Sequence, residues 1–244
     1  MTVNRKIAMW SGPRNISTAL MRAWENRSDT VVCDEPLYAH YLYETGLPHA
    51  MSAEVIASQP TDWREVAAEL TRENPESTAV YYQKHMAHHL LPEVGHDWIM
   101  QLSNCFLIRE PKGMLPSLDS KLPKPRLEET ALPQQVALFH ELQEATGETP
   151  PVIDSRDVLE DPRGVLGALC ERLDLPFEDA MLSWPAGRRA SDGVWASHWY
   201  GNVEKTTGFG EYRPNAAPLP EHLAAIYDEC LALYETLFEH RITA

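Results

Sequence analysis

The strongest constraint on the fold of this 244-residue chain is the alternation of short apolar runs with longer amphipathic stretches. We predict strands at Lys6 to Trp10, Thr30 to Cys33, Ala79 to His85, Cys105 to Ile108 and Val152 to Asp154. We predict helices at residues 17–25, 62–73, 133–146, 161–173 and 220–240, where apolar residues recur at helical spacing. Such alternation predicts an α/β fold of three layers, in which helices flank a central parallel sheet of about five strands.

The length suits a single domain over residues 1–244, and no internal repeat divides the chain. The stretch from Ser183 to Pro220 has no clear periodicity but contains three of the seven tryptophans. Loops of this length in a compact domain are usually functional or disordered, and the tryptophans favour order. We therefore predict a core followed, from about residue 185, by a loop-rich cap and a C-terminal helix.

The charge balance excludes several classes of partner. Lysine and arginine total 21 against 36 acidic residues, which gives a formal net charge of −15. This charge repels polyanions, so we predict no nucleic-acid or anionic-membrane partner. A phosphate-bearing ligand would need a local basic pocket.

The expected compartment is the cytoplasm. No apolar run approaches the roughly 18 residues that a membrane span needs, and the first residues do not have the pattern of a secretory leader. The four cysteines lie far apart and without zinc spacing, so free thiols and no metal are expected.

The first predicted strand leads through a short turn into a helix, over the residues Ser11-Gly12-Pro13-Arg14-Asn15-Ile16-Ser17-Thr18. This arrangement directs backbone N–H groups and a helix dipole at one point, which suits a phosphate or a sulfate. An ordinary capped helix after a tight turn is the alternative. The ATPase signature G-x-x-x-x-G-K-[ST] is absent, which argues against an ordinary ATPase or GTPase.

Arg109 directly follows the fourth predicted strand, and Ser117 lies on the helix that comes next. Ligands of parallel sheets dock at the carboxyl ends of the strands, and a guanidinium has the planar geometry that a phosphate accepts. Taken alone, Arg109 fits a surface or salt-bridged residue equally well.

Together these two segments resemble the sulfotransferases that use 3′-phosphoadenosine 5′-phosphosulfate (PAPS). The residues from Pro13 to Thr18 stand where that family has its phosphosulfate loop, roughly P-K-S-G-T-T. The family's 3′-phosphate signature, R-x-P-x-x-x-x-x-S, is matched by Arg109, Pro111 and Ser117. A third segment, from Val152 through Asp161-Pro162 to Leu173-Asp174-Leu175-Pro176-Phe177, is similar to the family's recurring strand, turn and helix exit. The resemblance covers residues 6 to about 184.

The resemblance implies a P-loop-like fold and transfer of a sulfuryl group from PAPS to a hydroxyl or amine of a small acceptor. The product nucleotide would be 3′-phosphoadenosine 5′-phosphate (PAP). By analogy with phosphoryl transfer, negative charge builds on the leaving oxygen, so a nearby cation is needed. Arg14 replaces the family's lysine and takes this role with the backbone amides of residues 16–18; the remaining loop contacts come from Gly12, Pro13, Asn15, Ile16, Ser17 and Thr18. Lys84 or Lys205 could supply a compact charge instead.

Two residues are candidates for the base that an acceptor hydroxyl requires. His85 lies in a segment similar to the family's K-T-H-L-P, although shorter by one residue, and imidazole titrates near neutrality. Glu35, after the second strand, is the rival, since some branches of the family use a carboxylate. His88 and His89 lie close to His85, but their spacing gives no recognisable set of metal ligands.

The family's R-K-G-x-x-G loop, which closes on the 3′-phosphate, has no recognisable counterpart. Arg188, Arg189 and Lys205 are the nearby basic residues that could replace it, and we expect Arg188 and Lys205 to contact the nucleotide. Trp195 or Trp199 could stack on adenine or line the acceptor pocket. A surface loop anchored by tryptophans is the alternative.

Three hypotheses follow from the sequence. The first is a PAPS-dependent sulfotransferase that needs no metal. The second is a non-catalytic regulatory protein that binds PAP or PAPS, a hypothesis that the replacement at Arg14 motivates. The third is a kinase-like nucleotide phosphotransferase, which the missing Gly-Lys-Ser/Thr disfavours. The acceptor and the oligomeric state do not follow from the sequence.

Overall fold

The computed structural model describes residues 4–243 and contains the five strands that the sequence predicts. They are β1 (Arg5–Ser11), β2 (Thr30–Asp34), β3 (Val80–Met86), β4 (Ser103–Ile108) and β5 (Val152–Asp154). They form one parallel sheet in the order β2-β3-β1-β4-β5, and helices flank it. The predicted α/β fold is therefore confirmed.

The predicted helices are present with boundaries shifted by at most a few residues. Over residues 4–243 the α-helices are α1 (Ser17–Glu25), α2 (Tyr38–Thr45), α3 (Ser52–Ser58), α4 (Trp63–Thr71), α5 (Pro111–Asp119), α6 (Leu132–Thr146), α7 (Ser155–Glu160), α8 (Pro162–Arg172), α9 (Ala196–Trp199) and α10 (Ala224–Phe238). At the start of α8, the Asp161 carboxylate accepts from the N–H of Gly164 and Pro162 begins the helix. In the described part of the chain, no helix is long and apolar enough to cross a bilayer.

The chain divides into two compact units. The first unit comprises the chain up to Met9, Thr18–Asn104 and Glu178–Phe209, and the second comprises Trp10–Ser17, Cys105–Phe177 and the chain from Gly210. The single domain over residues 1–244 that the sequence indicates stays a prediction.

The first unit is built around β3, every residue of which is buried. Its parallel register with β2 pairs Thr30 with Val80 and continues to Asp34 beside Lys84. On α1, the predicted apolar face is fully buried at Leu20 and Trp24, and the Trp24 ring stacks on Tyr82 with centroids 5.2 Å apart. The register of β2 with β3 places the charged side chains of Asp34 and Lys84 side by side at the carboxyl end of these two strands.

The second unit packs α6 and α10 around β4 and β5. The register pairs Phe106 with Val152 and Ile108 with Asp154, and the buried ring of Phe106 meets Phe139 of α6 edge to face. The buried amide of Gln135 donates to the carbonyls of Trp10 and Leu107, at 3.0 Å each. Since unpaired buried carbonyls are costly, this side chain fixes the end of β1 beside β4.

Candidate active site

The turn between β1 and α1 has the backbone of an anion-binding loop. Arg14 and Ile16 both adopt left-handed conformations, with φ of 65° and 57°. Within residues 4–243, the backbone N–H groups of residues 14 to 17 donate to no carbonyl or side-chain oxygen. The Ser155 hydroxyl donates to the carbonyl of Ile108 at 2.7 Å and lies 3.1 Å from the carbonyl of Asn15, so it connects the turn to the end of β4. The two strained residues thus lie in a turn whose backbone N–H groups are available to bind an anion.

Two arginines and a serine meet at this turn. The Arg14 Nε donates to the Ser117 Oγ at 2.9 Å, and the Arg109 Nη1 donates to the carbonyl of Arg14 at 2.5 Å. The structure thus brings together Arg14, Arg109 and Ser117, which were predicted from two separate segments of the sequence. We call these three residues and the turn 12–17 the anion loop site.

The arginines of the anion loop site have no carboxylate within ion-pair distance in the described part of the chain, although Asp154 and Glu110 act on Arg109 from farther away. Both guanidinium groups are half-buried, and neither is ion-paired within the described residues. Burial lowers the pKa of Arg14, and burial together with the positive charge of Arg14 lowers the pKa of Arg109. Two adjacent cations without a carboxylate partner favour a bound anion.

Gly12 is required by a close approach of backbone. A Cβ added to Gly12 would lie 2.5 Å from the carbonyl oxygen of Thr130. We therefore expect Gly12→Ala to destabilise the protein by about 1–3 kcal/mol, because the chain would have to move. Chemical denaturation measures this. Gly167→Ala is the matched control: it lies inside α8 with open space around it, so we expect it to be neutral or stabilising.

In the first unit, four polar side chains form a buried network that we call the charge cluster: Asp34, Glu35, Lys84 and Tyr200. The Lys84 ammonium donates to the Asp34 Oδ1 at 2.8 Å, to the Glu35 Oε1 at 2.5 Å and to the Tyr200 OH at 2.8 Å. The Tyr200 OH lies 2.9 and 2.8 Å from the two carboxylate oxygens of Asp34. One cation thus faces two carboxylates, so the cluster has one excess negative charge when both acids are ionised, and this favours uptake of a proton by one of them.

The pKa values in the charge cluster follow from burial and from these neighbours. Burial opposes the charge of Lys84, but the carboxylates of Asp34 and Glu35 raise its pKa well above the usual value. Burial raises the pKa of Glu35, and Asp34 adds to the rise while Lys84 opposes it. Burial and Asp34 raise the pKa of Tyr200, so its phenol stays protonated. Lys84 is therefore a fixed cation and Glu35 the weakened acid beside it.

Glu35 is the charge cluster member that reaches solvent. Its side chain is 11% exposed, whereas those of Lys84 and Asp34 are 1% and 2% exposed. Its backbone is left-handed, with φ of 44°, and is held by hydrogen bonds to the carbonyl of Lys84 at 2.9 Å and from Tyr38 at 3.0 Å. Strain at a non-glycine residue is often found at functional sites, where the surrounding structure holds it in place.

The predicted base His85 lies elsewhere in the first unit. Successive residues of a strand point to opposite faces of a sheet, so His85 faces away from Lys84. Its side chain is buried, with the Nε2 3.2 Å from the Gln83 Oε1 and the ring beside Trp98. Burial, and secondarily the charge of Lys84, lower the pKa of His85 to about 3. A group of this acidity is a weak base at neutral pH.

The histidines after β3 belong to an aromatic cluster. The His89 ring stacks on Tyr38 and Tyr41 with centroids 4.7 Å from each, and His88 meets His89 at 4.4 Å. Burial lowers the pKa of His88 to about 3 and lowers that of His89 well below its usual value. Both rings are therefore neutral and pack as aromatic side chains. Within the described residues no group of histidines, cysteines or acids is arranged to hold a metal ion.

The tail segment Ser183–Phe209 carries the remaining predicted residues. Trp195 is fully buried, with its Nε1 donating to the Tyr200 OH at 3.1 Å. Arg188 is exposed with its Nε 3.9 Å from the Glu204 carboxylate, and Lys205 is exposed at the end of a 3₁₀ turn. Sequence reasoning missed Tyr200 and Asp34 as site residues.

A family model described as a sulfotransferase domain matches residues 5–237. The chain therefore belongs to the sulfotransferase-domain family. Among its relatives are branched-chain-amino-acid aminotransferase-like proteins 2 and 1 of Arabidopsis thaliana, which are 32% and 33% identical over 234 residues. These residues make up 96% of this chain but only 41% and 42% of the relatives. The chain thus spans about two fifths of the length of these curated relatives.

Solved structures with the same fold are also sulfotransferases by title. The sulfotransferase domain of the Synechococcus PCC 7002 olefin synthase superposes with a TM-score of 0.60 at 18% identity, covering 99% of this chain and 97% of that one. A sulfotransferase from Alicyclobacillus acidocaldarius gives a TM-score of 0.52 at 11% identity, covering 98% and 97%. At these identities the likeness establishes the fold.

Proposed function

We propose that this protein transfers a sulfuryl group from PAPS to a hydroxyl or amine of a small-molecule acceptor and releases PAP. Membership of the sulfotransferase-domain family supports the reaction class. The observation that carries the choice of donor is the anion loop site. There, two guanidinium groups without an ion-pair partner among the described residues lie with Ser117 beside backbone amides that make no hydrogen bond. A ligand with two separate anionic groups matches such a set of donors.

The proposed donor contacts combine the roles that the family resemblance implies with the residues that meet at the anion loop site. The amides of residues 14 to 17 would bind the 5′-phosphosulfate, and Arg109 with Ser117 would bind the 3′-phosphate. As the bond from sulfur to the bridging oxygen breaks, Arg14 and the amides would stabilise the negative charge that develops on the leaving PAP. We also propose that the exposed Arg188 and Lys205 contribute to nucleotide binding.

We propose Glu35 rather than His85 as the base that takes the acceptor's proton. Glu35 is the partly exposed member of the charge cluster, and burial raises its pKa, which makes its carboxylate a stronger base. The acceptor oxygen or nitrogen would form a bond to sulfur while its proton passes to the Glu35 carboxylate. Lys84, fully buried against Glu35, would hold that carboxylate in place and would not touch the donor.

We also propose that the protein acts in the cytoplasm without a metal. The four cysteines are free thiols in the structure, which is typical of a reducing compartment. The reaction as proposed needs a cation at the leaving group, and Arg14 supplies it.

A thermal-shift comparison of PAP with AMP, ADP and ATP tests the proposed donor. A ligand at about 100 times its Kd stabilises the native state by roughly 2.7 kcal/mol, so selective binding is readily measured. We expect PAP to raise Tm more than AMP, ADP or ATP. Equal shifts from all four nucleotides would contradict the proposal.

Turnover separates the enzyme from the non-catalytic binder that the sequence left open. PAPS is incubated with phenols, alcohols and amines, and release of PAP is measured. PAP binding without release of PAP from PAPS in the presence of any acceptor would favour a regulatory protein. Magnesium-dependent consumption of ATP would instead favour a phosphotransferase.

A further inference from the structure

The tail segment reaches the charge cluster through three successive contacts. The N–H of Gly193 donates to the Asp34 Oδ2 at 3.2 Å, and the Trp195 Nε1 donates to the Tyr200 OH. The Tyr200 OH in turn contacts both oxygens of Asp34 and lies 3.5 Å from the Glu35 Oε1. The tail therefore supplies donors to the Asp34 carboxylate and places the Tyr200 hydroxyl at the limit of hydrogen-bond distance from Glu35.

We infer that Tyr200 and Asp34 are positioning residues that set the acidity and the orientation of the Glu35 carboxylate. This inference rests on the proposed function of Glu35 as the base. Neither residue is assigned to touch the donor or the acceptor; both act through their contacts with Lys84 and Glu35.

The hydrogen-bond directions explain how the two residues act in opposite senses. Lys84 shares its three donors among Asp34, Glu35 and the Tyr200 oxygen. Asp34 neutralises part of the lysine's charge and adds a negative charge of its own, so it favours the protonated form of Glu35. The Tyr200 hydroxyl lies closer to Asp34 but is also 3.5 Å from the Glu35 Oε1, and a hydroxyl donor near a carboxylate favours its ionised form. Asp34 and Tyr200 thus act on the pKa of Glu35 in opposite directions, Asp34 raising it and Tyr200 lowering it.

The other groups that face Glu35 complete the electrostatic surroundings. Lys84 contacts it from β3, Asp34 from β2 and Tyr200 from the tail, while Tyr38 faces it from α2. Burial raises the pKa of Tyr38, and the charge of Glu35 raises it further, so this phenol stays neutral. Lys84 is thus the cation and Asp34 the second anion around Glu35.

The test is the pKa of Glu35 itself, followed by NMR of protein labelled with ¹³C at the glutamate carboxyls. The Glu35 signal is assigned by its absence in Glu35→Gln. We expect Tyr200→Phe to raise this pKa and Asp34→Asn to lower it, each by about half to one unit. Tyr43→Phe is the matched control, because Tyr43 is an exposed tyrosine of α2 outside the charge cluster. It should leave the pKa of Glu35 unchanged.

Opposite shifts support the inference, since loosened packing would hydrate Glu35 and could only lower its raised pKa. A folded Tyr200→Phe variant with an unchanged or lowered pKa overturns it, as does a folded Asp34→Asn variant without a downward shift. If Tyr200→Phe does not fold, Asp34→Asn decides. The carboxyl titration needs no substrate, so an absence of sulfuryl transfer would refute the proposed function without deciding this inference. Where turnover is observed, the acid limb of the kcat profile should move with the measured pKa.

Discussion

Arg109→Ala is expected to abolish the preference of this protein for a 3′-phosphorylated nucleotide. The variant should bind PAP no better than AMP, with a loss of about 10²–10³-fold in PAP affinity. The reason is that Arg109 is half-buried and positively charged, and it is proposed to donate hydrogen bonds to the 3′-phosphate. Each hydrogen bond from a charged donor is worth roughly 1.5–3 kcal/mol. Isothermal titration of both nucleotides against both proteins measures the effect.

The matched control for Arg109→Ala is Arg213→Ala. Arg213 belongs to the same compact unit, but its side chain is 86% exposed and pairs loosely with Glu211 at 3.9 Å. Exposed pairs of this kind contribute little, so PAP binding should not change. If Arg109→Ala kept a preference for PAP over AMP, the 3′-phosphate would have to bind elsewhere, and the proposed donor contacts would be wrong.

Arg14 and Arg109 carry like charges close together, so Arg109→Ala should affect the free protein and the complex with PAP differently. Burial, and secondarily the positive charge of Arg14, lower the pKa of Arg109, so this charge is costly to hold when no anion is present. Removing Arg109 therefore relieves the free protein while it weakens the complex. We expect Arg109→Ala to change the free energy of unfolding by no more than about 1 kcal/mol in the absence of ligand, because loss of the hydrogen bond to the Arg14 carbonyl offsets the relieved repulsion. This result would separate lost binding from lost folding.

The fold was predictable from the sequence because buried parallel strands are recognisable one at a time. Each strand of the central sheet is a short apolar run between amphipathic stretches, and the strand limits differ by two residues or fewer from those predicted. Helices α2 and α3 were not predicted. In α2 the apolar and polar residues of Tyr38–Thr45 are mixed, and five successive residues are buried, so no clear apolar stripe is present.

The anion loop site could be anticipated, but the charge cluster could not. Arg109 and Ser117 are separated by a fixed spacing on one strand and one helix, which a motif records. Tyr200 lies 166 residues from Asp34, in a segment without periodicity, and only the tertiary fold brings them together. Pairing of Asp34 with Lys84 depends on the register of two strands, which the hydrophobic pattern does not specify when both faces are buried.

The choice between the two candidate bases also depended on structure. His85 and Glu35 each follow or end a strand, and sequence position alone left both open. Strand alternation then separates Lys84 from His85, because adjacent residues of β3 face opposite sides of the sheet. Strand alternation can be applied to the sequence alone, but only the structure shows that the carboxylates of Asp34 and Glu35 lie on the side of Lys84.

Glu35→Gln is expected to lower kcat by about 10²–10⁴-fold while the affinity for PAP stays unchanged. The amide has the shape of the carboxylate but cannot take the acceptor's proton. Lys84 keeps its ion pair with Asp34 in this variant, so the fold should be retained, which the midpoint of chemical unfolding checks. Steady-state turnover with PAPS and the best acceptor of the panel gives kcat.

The comparison variant is His85→Gln, which removes the imidazole but leaves a polar side chain beside Gln83. We expect its kcat to fall by no more than a few-fold, because a buried histidine with a pKa of about 3 takes up little proton at neutral pH. A loss of 10²-fold or more in His85→Gln, together with a small loss in Glu35→Gln, would transfer the base to His85.

The pH dependence of kcat separates the two candidate bases further. With Glu35 as the base, kcat falls as the pH drops through the raised pKa of that carboxyl, since the protonated acid cannot accept a proton, and Glu35→Gln removes that limb.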